Sequence, residues 1–135
     1  MKFNEDDRAQ RLLDIFPQLE GQINVSYVNS TEHIVAWHKH KLQTDYWICL
    51  KGSFKVGLAT LETFEGSITK HNVTFEYLSD KNPRVLEIKP GIYHGYKALE
   101  PGSIILYYLT HKWSLEDEFK VIPGHFGEIW IAENK

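Results

Sequence analysis

From Gly21 onward the apolar and polar residues alternate in short runs, none of them long enough to suggest a helix. The runs are Ile23–Val28, His33–His40, Asp45–Leu50, Phe54–Thr60, Val73–Leu78, Val85–Lys89, His94–Leu99 and Ser103–Thr110. Each is rich in β-branched or aromatic residues, which suit a pleated and half-buried surface. Turn signals separate them, among them "KG", "EG", "SDKNP", "KPG" and "EPG". Short runs between such signals predict strands. Many short strands with no helix between them predict an antiparallel all-β sandwich or barrel.

The two ends read differently. "NEDDRAQRLLDIFPQ" predicts a short helix within residues 1–20. Asn4 stands at the N-cap, Glu5, Asp6 and Asp7 favour the first turn, Leu12, Leu13, Ile15 and Phe16 form an apolar side, and Pro17 ends it. Residues 114–135 read as a C-terminal extension. It is expected to hold a turn of helix at Ser114–Glu118, with Glu116, Asp117 and Glu118 solvated, and an edge strand near Ile129–Ala132. Residues 21–113 form the expected β-core of one domain spanning 1–135.

Composition narrows the classes. A net charge of −3 leaves no basic footprint, so nucleic acid is not an expected partner. Cys49 is the only cysteine, which excludes an internal disulfide, and its apolar run predicts a buried thiol. No signal peptide is recognisable, and no apolar run nears the roughly 20 residues of a membrane helix. A soluble, cytoplasmic protein is therefore expected, with no membrane partner.

The chemistry concentrates in "WHKHKLQTDYWICLKG", residues 37–52. Alternate residues of a strand share a face, so His38 and His40 point one way and Trp37 and Lys39 the other. An antiparallel return after "KLQT" would bring Asp45 beside the two histidines. Further on, Gly91 in "KPGIYH" allows a tight turn, after which His94 and Tyr96 share a face. Three imidazoles and a carboxylate could hold Fe, Mn, Ni or Zn. They could equally move protons on a bound substrate, because imidazole titrates near neutrality. Trp47 and Tyr96 lie on pocket-compatible faces, and core packing is the alternative for both. His33, His71, His111 and His125 read as loop or surface residues. Lys39, Lys41 and Lys51 read as solvated, with steering of an anionic ligand as the alternative.

His-x-His, four residues, an acid, six residues and Gly, followed later by Gly-x-x-His, resembles the two motifs of the cupin superfamily. That resemblance implies a double-stranded β-helix, or jelly roll. Within the superfamily, "VLEIKPGIYHGYKALEPGSIILYYLTHKWSLEDEF" is similar to the second half of dTDP-4-dehydrorhamnose 3,5-epimerases. The shared positions are Pro90-Gly91, His94-Gly95-Tyr96, Leu99, Tyr107, Thr110 and Trp113. "HKHKLQTDYWICLKGS" resembles in spacing the matching segment of dTDP-sugar 3,4-ketoisomerases. Together the similarity covers about Val35 to Glu118.

The resemblance implies an isomerase that moves protons next to the 4-keto group of a nucleotide-linked deoxysugar, without a metal. His38 would be the base and Tyr107 the acid, while parity alone places Tyr107 and Tyr108 on opposite faces. His40, Asp45, His94, Tyr96 and Trp47 would contact substrate. The epimerases' arginine falls at Val35 and their lysine at Asp45. Their C-terminal carboxylate, which holds the base, has no evident match, Glu133 being the nearest acid. A homodimer is implied. Two alternatives stand: a metal-dependent cupin using His38, His40, Asp45 and His94, and a binding module that keeps the pocket without the chemistry.

Overall fold

The computed structural model describes residues 1–18, 20–64, 66 and 68–131. Its strands are β1 (Lys2–Glu5), β2 (Gln10–Leu13), β3 (Gln22–Val28), β4 (Ile34–His40), β5 (Asp45–Lys51), β6 (Ser53–Phe64), β7 (Ile68–Ser79), β8 (Leu86–Ile88), β9 (Tyr93–Ala98), β10 (Ser103–Leu109) and β11 (Glu118–Lys120). Two antiparallel sheets, ordered β3-β10-β5-β8 and β11-β4-β9-β6-β7, form a jelly-roll sandwich. Each strand expected from alternation over residues 21–110 is present, with β6 and β7 longer than expected and paired along their whole length. Among the described residues no helix is long and apolar enough to cross a membrane.

The N-terminal segment is not a helix. β1 and β2 pair as a hairpin, with Phe3 opposite Leu12 and Glu5 opposite Gln10. Asp6 decides this. Its Oδ1 accepts the backbone N–H of Arg8 at 2.9 Å and of Ala9 at 3.1 Å, the local turn an aspartate offers in competition with helix. Side-chain and backbone hydrogen bonds from Arg8, then one from Arg11, hold its carboxyl down to about 2. Beyond the hairpin, Phe16 packs on Tyr108 with ring centroids 5.5 Å apart.

The C-terminal expectations also change. Only Leu115–Asp117 is helical, as a single 3₁₀ turn, and Glu118 starts β11 instead. Residues 129–131 form no strand, and Ala132 lies outside the described residues. Instead Trp130 buries against Trp37 and Ala59 beneath Phe75, Tyr93 and Phe126, and Lys55 donates to the carbonyls of Ile129 and Trp130. Side-chain burial outweighs the extended pattern of "IWIA".

The main core lies between the sheets and includes Trp47, Cys49, Phe54, Val56, Leu78, Ile88 and Ile105. Cys49 is 2% exposed, and burial, with the charge of Asp80 adding to it, pushes its thiol up to about 11. A thiol so placed carries almost no thiolate at neutral pH. Native protein is expected to resist iodoacetamide and unfolded protein to take one alkyl group, as read by intact mass.

Candidate active site

At one end of the sandwich interior is a cavity of about 250 Å³. The five-stranded sheet contributes His38, His40, His94, Tyr96 and Glu118, and the facing sheet contributes Asp45, Trp47 and Tyr107. All seven residues expected to act on or hold a substrate therefore line one space.

Strand parity explains the histidines. His38 and His40 share the cavity, while Trp37 goes into the second core and Lys39 lies over the Tyr93 ring at 4.7 Å. β4 meets β9 with His38 opposite His94, after a register shift between Val35 and His38. Gly95 permits that approach, since a Cβ there would lie 2.5 Å from the Ala36 side chain. Gly91 takes φ +86 in the turn before His94, a left-handed conformation that favours glycine. Asp45 arrives by a different route from the expected hairpin. β4 and β5 belong to different sheets, so residues 41–44 cross the sandwich and Asp45 faces His94 across its interior.

His38 has a partner that the sequence did not reveal. Its Nδ1 donates to Glu118 Oε1 at 2.8 Å. Glu118, expected as a solvated helix residue, has a side chain only 9% exposed. β11 pairs with β4, setting Glu118 opposite His40 and Lys120 opposite His38, so an edge strand brings the carboxylate to the ring. Burial alone would raise the Glu118 carboxyl, but the hydrogen bond from His38, its charge and Lys120 bring it below its ordinary value. With Nδ1 donating, the neutral ring of His38 has Nε2 free to accept a proton. Hydrogen bonds to a charged group contribute about 1.5–3 kcal/mol, enough to fix that tautomer. Trp113 Nε1 donates to the other oxygen of Glu118 at 3.3 Å. Glu133 lies outside the described residues.

Asp117 holds the neighbouring turn. Its carboxylate accepts the backbone N–H groups of Lys41, Leu42 and Gln43, and its carbonyl accepts His40 Nδ1 at 3.1 Å. The run 116–118 is thus structural at Asp117 and turned to the site at Glu118. The alternation of "EFK" after the 3₁₀ turn was the only local hint of a strand here.

Asp45 is 4% exposed and accepts Gln43 Nε2 at 2.5 Å and Trp47 Nε1 at 3.0 Å. His94 donates from Nδ1 to the Ile92 carbonyl at 3.1 Å. Burial pulls its pKa down, to about 4, against the opposing charge of Asp45. His94 Nε2 approaches Asp45 Oδ2 at 3.6 Å. Trp47 meets His94, Tyr96 and Tyr107 edge-on, forming the floor.

Tyr107 lines the cavity, with its hydroxyl 3.2 Å from Ser26 Oγ. Tyr108 faces the other side, fully buried, and its hydroxyl donates to the Glu20 carbonyl. Trp113 stands half-exposed at the cavity rim. A second hollow beside it is lined by Lys41, Thr110, His111 and Lys112.

The pocket thus sets histidines from one sheet against a tyrosine from the other. The profile of the family described as dTDP-4-dehydrorhamnose 3,5-epimerase matches residues 2–126, and the chain belongs to that family of dTDP-sugar epimerases and isomerases. It is 30% identical over 125 residues to the probable low-salt glycan biosynthesis epimerase Agl13 of Haloferax volcanii, covering 87% of this chain and 78% of that protein. It is 35% identical over 111 residues to the spore coat polysaccharide biosynthesis protein SpsL of Bacillus subtilis, covering 79% and 72%. A crystal structure of dTDP-4-dehydrorhamnose 3,5-epimerase from Bacillus anthracis with TDP and pyrophosphate bound superposes with a TM-score of 0.81 at 22% identity. The match covers 98% of this chain and 83% of that one.

Proposed function

We propose that the protein isomerises a dTDP-linked 4-keto-6-deoxyhexose by proton transfer at a carbon beside the ketone, with His38 as base and Tyr107 as acid. One observation carries this reading: the His38–Glu118 pair and Tyr107 line one cavity from opposite sheets. A flat sugar ring between them would meet a proton acceptor on one face and a donor on the other. His38 removes the carbon-bound proton through Nε2, and the electron pair moves to the carbonyl oxygen as an enolate. Glu118 stabilises the imidazolium formed. Returning a proton from the Tyr107 hydroxyl to the opposite face inverts the carbon and reforms the ketone. A positioned acid or base contributes about 10²–10⁴-fold to such a transfer.

The cavity suits the sugar, which leaves the nucleotide at the rim. Trp113 offers an aromatic face there, and Lys41, His111 and Lys112 lie near enough to favour a diphosphate. dTDP is expected to quench tryptophan emission in the wild type, and Trp113→Ala to weaken its binding by about tenfold, as read by calorimetry. A homodimer would cover the exposed row Ile23, Val25 and Tyr27 on edge strand β3, and sedimentation tests it.

Incubation with dTDP-4-keto-6-deoxyglucose, followed by NMR of the sugar, tests the reading. Appearance of an epimer or of the 3-keto isomer supports it. No conversion of this sugar or of its UDP and GDP counterparts would overturn it.

A further inference from the structure

The carboxylate that meets His38 stands on a weak support. β11 has three residues, lies at the edge of its sheet and pairs with β4 alone. Its side chains bring no buried apolar group, since Glu118 and Phe119 are half-buried and Lys120 is exposed. Segments with few buried contacts open locally at little cost. Something beyond β11 must hold Glu118 in register.

Residues 121–131 supply that hold from the opposite face of the five-stranded sheet. Val121 continues β11, and its backbone exchanges two hydrogen bonds with Trp37, at 2.8 and 3.2 Å. Trp37 directly precedes His38 on β4, but its indole enters the second core while His38 lines the cavity. Trp130 and Phe126 each pack on Trp37 with centroids 5.3 Å apart. Gly57 makes room for both indoles, because a Cβ there would lie 2.6 Å from Trp37 and 2.7 Å from Trp130.

Polar bonds close the segment but do not orient Trp37. The Glu128 carboxylate accepts the backbone N–H groups of Gly124 at 2.6 Å and Phe126 at 3.1 Å, and Trp130 Nε1 at 2.8 Å. Lys55 holds the carbonyls of Ile129 and Trp130 from β6. Trp37 Nε1 is buried and finds no partner among the described residues. A buried unpaired N–H is unfavourable, so packing by Trp130 and Phe126 is what keeps that indole in place.

We propose that residues 121–131 act as a latch, with Trp130 as a positioning residue that holds Glu118 against His38 through Trp37 and Val121. Trp130 lies outside the cavity and touches no substrate. It acts by fixing which nitrogen of His38 carries the hydrogen. The consequence for turnover rests on the function proposed above, and the tautomer itself does not.

The test is the tautomer of each histidine, read by long-range ¹H–¹⁵N NMR of labelled protein at about pH 9, where an ordinary imidazole is neutral. In the wild type His38 and His94 are both expected as Nδ1–H. In Trp130→Ala, His38 is expected to move toward Nε2–H, the form a solvated imidazole favours. His94 is expected to stay as it is, because its acceptor is the Ile92 carbonyl. Trp130→Phe refills the space beside Gly57 and is expected to restore His38. Glu128→Ala removes three bonds of the latch without opening a core, and is expected to shift His38 in the same direction even where Trp130→Ala fails to fold. With the keto-sugar, Trp130→Ala is expected to lose about tenfold in kcat with KM unchanged. A wild-type His38 tautomer in Glu128→Ala and in folded Trp130→Ala would overturn the proposal. So would a shift of His94 together with His38 in Glu128→Ala, which would mark a general loosening of the fold. Failure of the wild type to convert any sugar nucleotide would count against the isomerase reading alone.

Discussion

Replacing His38 by Asn is expected to lower turnover of the keto-sugar about 10³-fold while leaving the protein folded. Asn keeps a polar group on β4 but cannot take up a proton near neutral pH. The side chain is 26% exposed and lies at the cavity wall, so its loss leaves the cores intact. Glu118→Gln is the companion test. Its amide can present an N–H toward Nδ1, which moves the ring hydrogen to Nε2 and removes the lone pair that acts as base. The wrong tautomer in a comparable dyad is costly by orders of magnitude. A loss of at least 10²-fold in kcat is expected, with the circular dichroism spectrum unchanged. Steady-state rates at saturating dTDP-sugar check both variants, and wild-type kcat in Glu118→Gln would remove Glu118 from the mechanism.

The second large effect separates proton removal from inversion. Tyr107→Phe keeps the ring that packs against Trp47 at 6.4 Å and loses only the hydroxyl near Ser26. His38 is intact, so the carbon-bound proton still leaves and returns on the His38 face. Epimer formation is expected to fall about 10²-fold while solvent hydrogen still enters the unconverted sugar. NMR of the recovered sugar in deuterated water reads both quantities from one sample. Epimerisation at the wild-type rate would show that another group gives the proton.

The sandwich was legible because short β-branched and aromatic runs such as "DYWICL" and "SIILYY" stand between turn signals, and a strand's side chains alternate faces with a period of two. The same parity placed His38 with His40 and separated Tyr107 from Tyr108. Contacts made across the fold were not legible. Nothing near Glu118 announces that it meets a ring 80 residues earlier, because an edge strand of three residues leaves little pattern. Acidic residues clustered at 116–118 look solvated until β11 pairs with β4. At the N-terminus the acids that would start a helix include Asp6, whose carboxylate closes a hairpin turn instead. Asp45 was expected beside His38 and His40 by a hairpin return, whereas the four-residue connection crosses between sheets and sets it against His94.

The most direct measurement is NMR of dTDP-4-keto-6-deoxyglucose in deuterated water with wild type and His38→Asn side by side. Exchange through His38 predicts deuterium at a ring carbon adjacent to the ketone with wild-type protein and none above background with the variant. Absence of deuterium with the wild type, or equal incorporation by the two proteins, would contradict it.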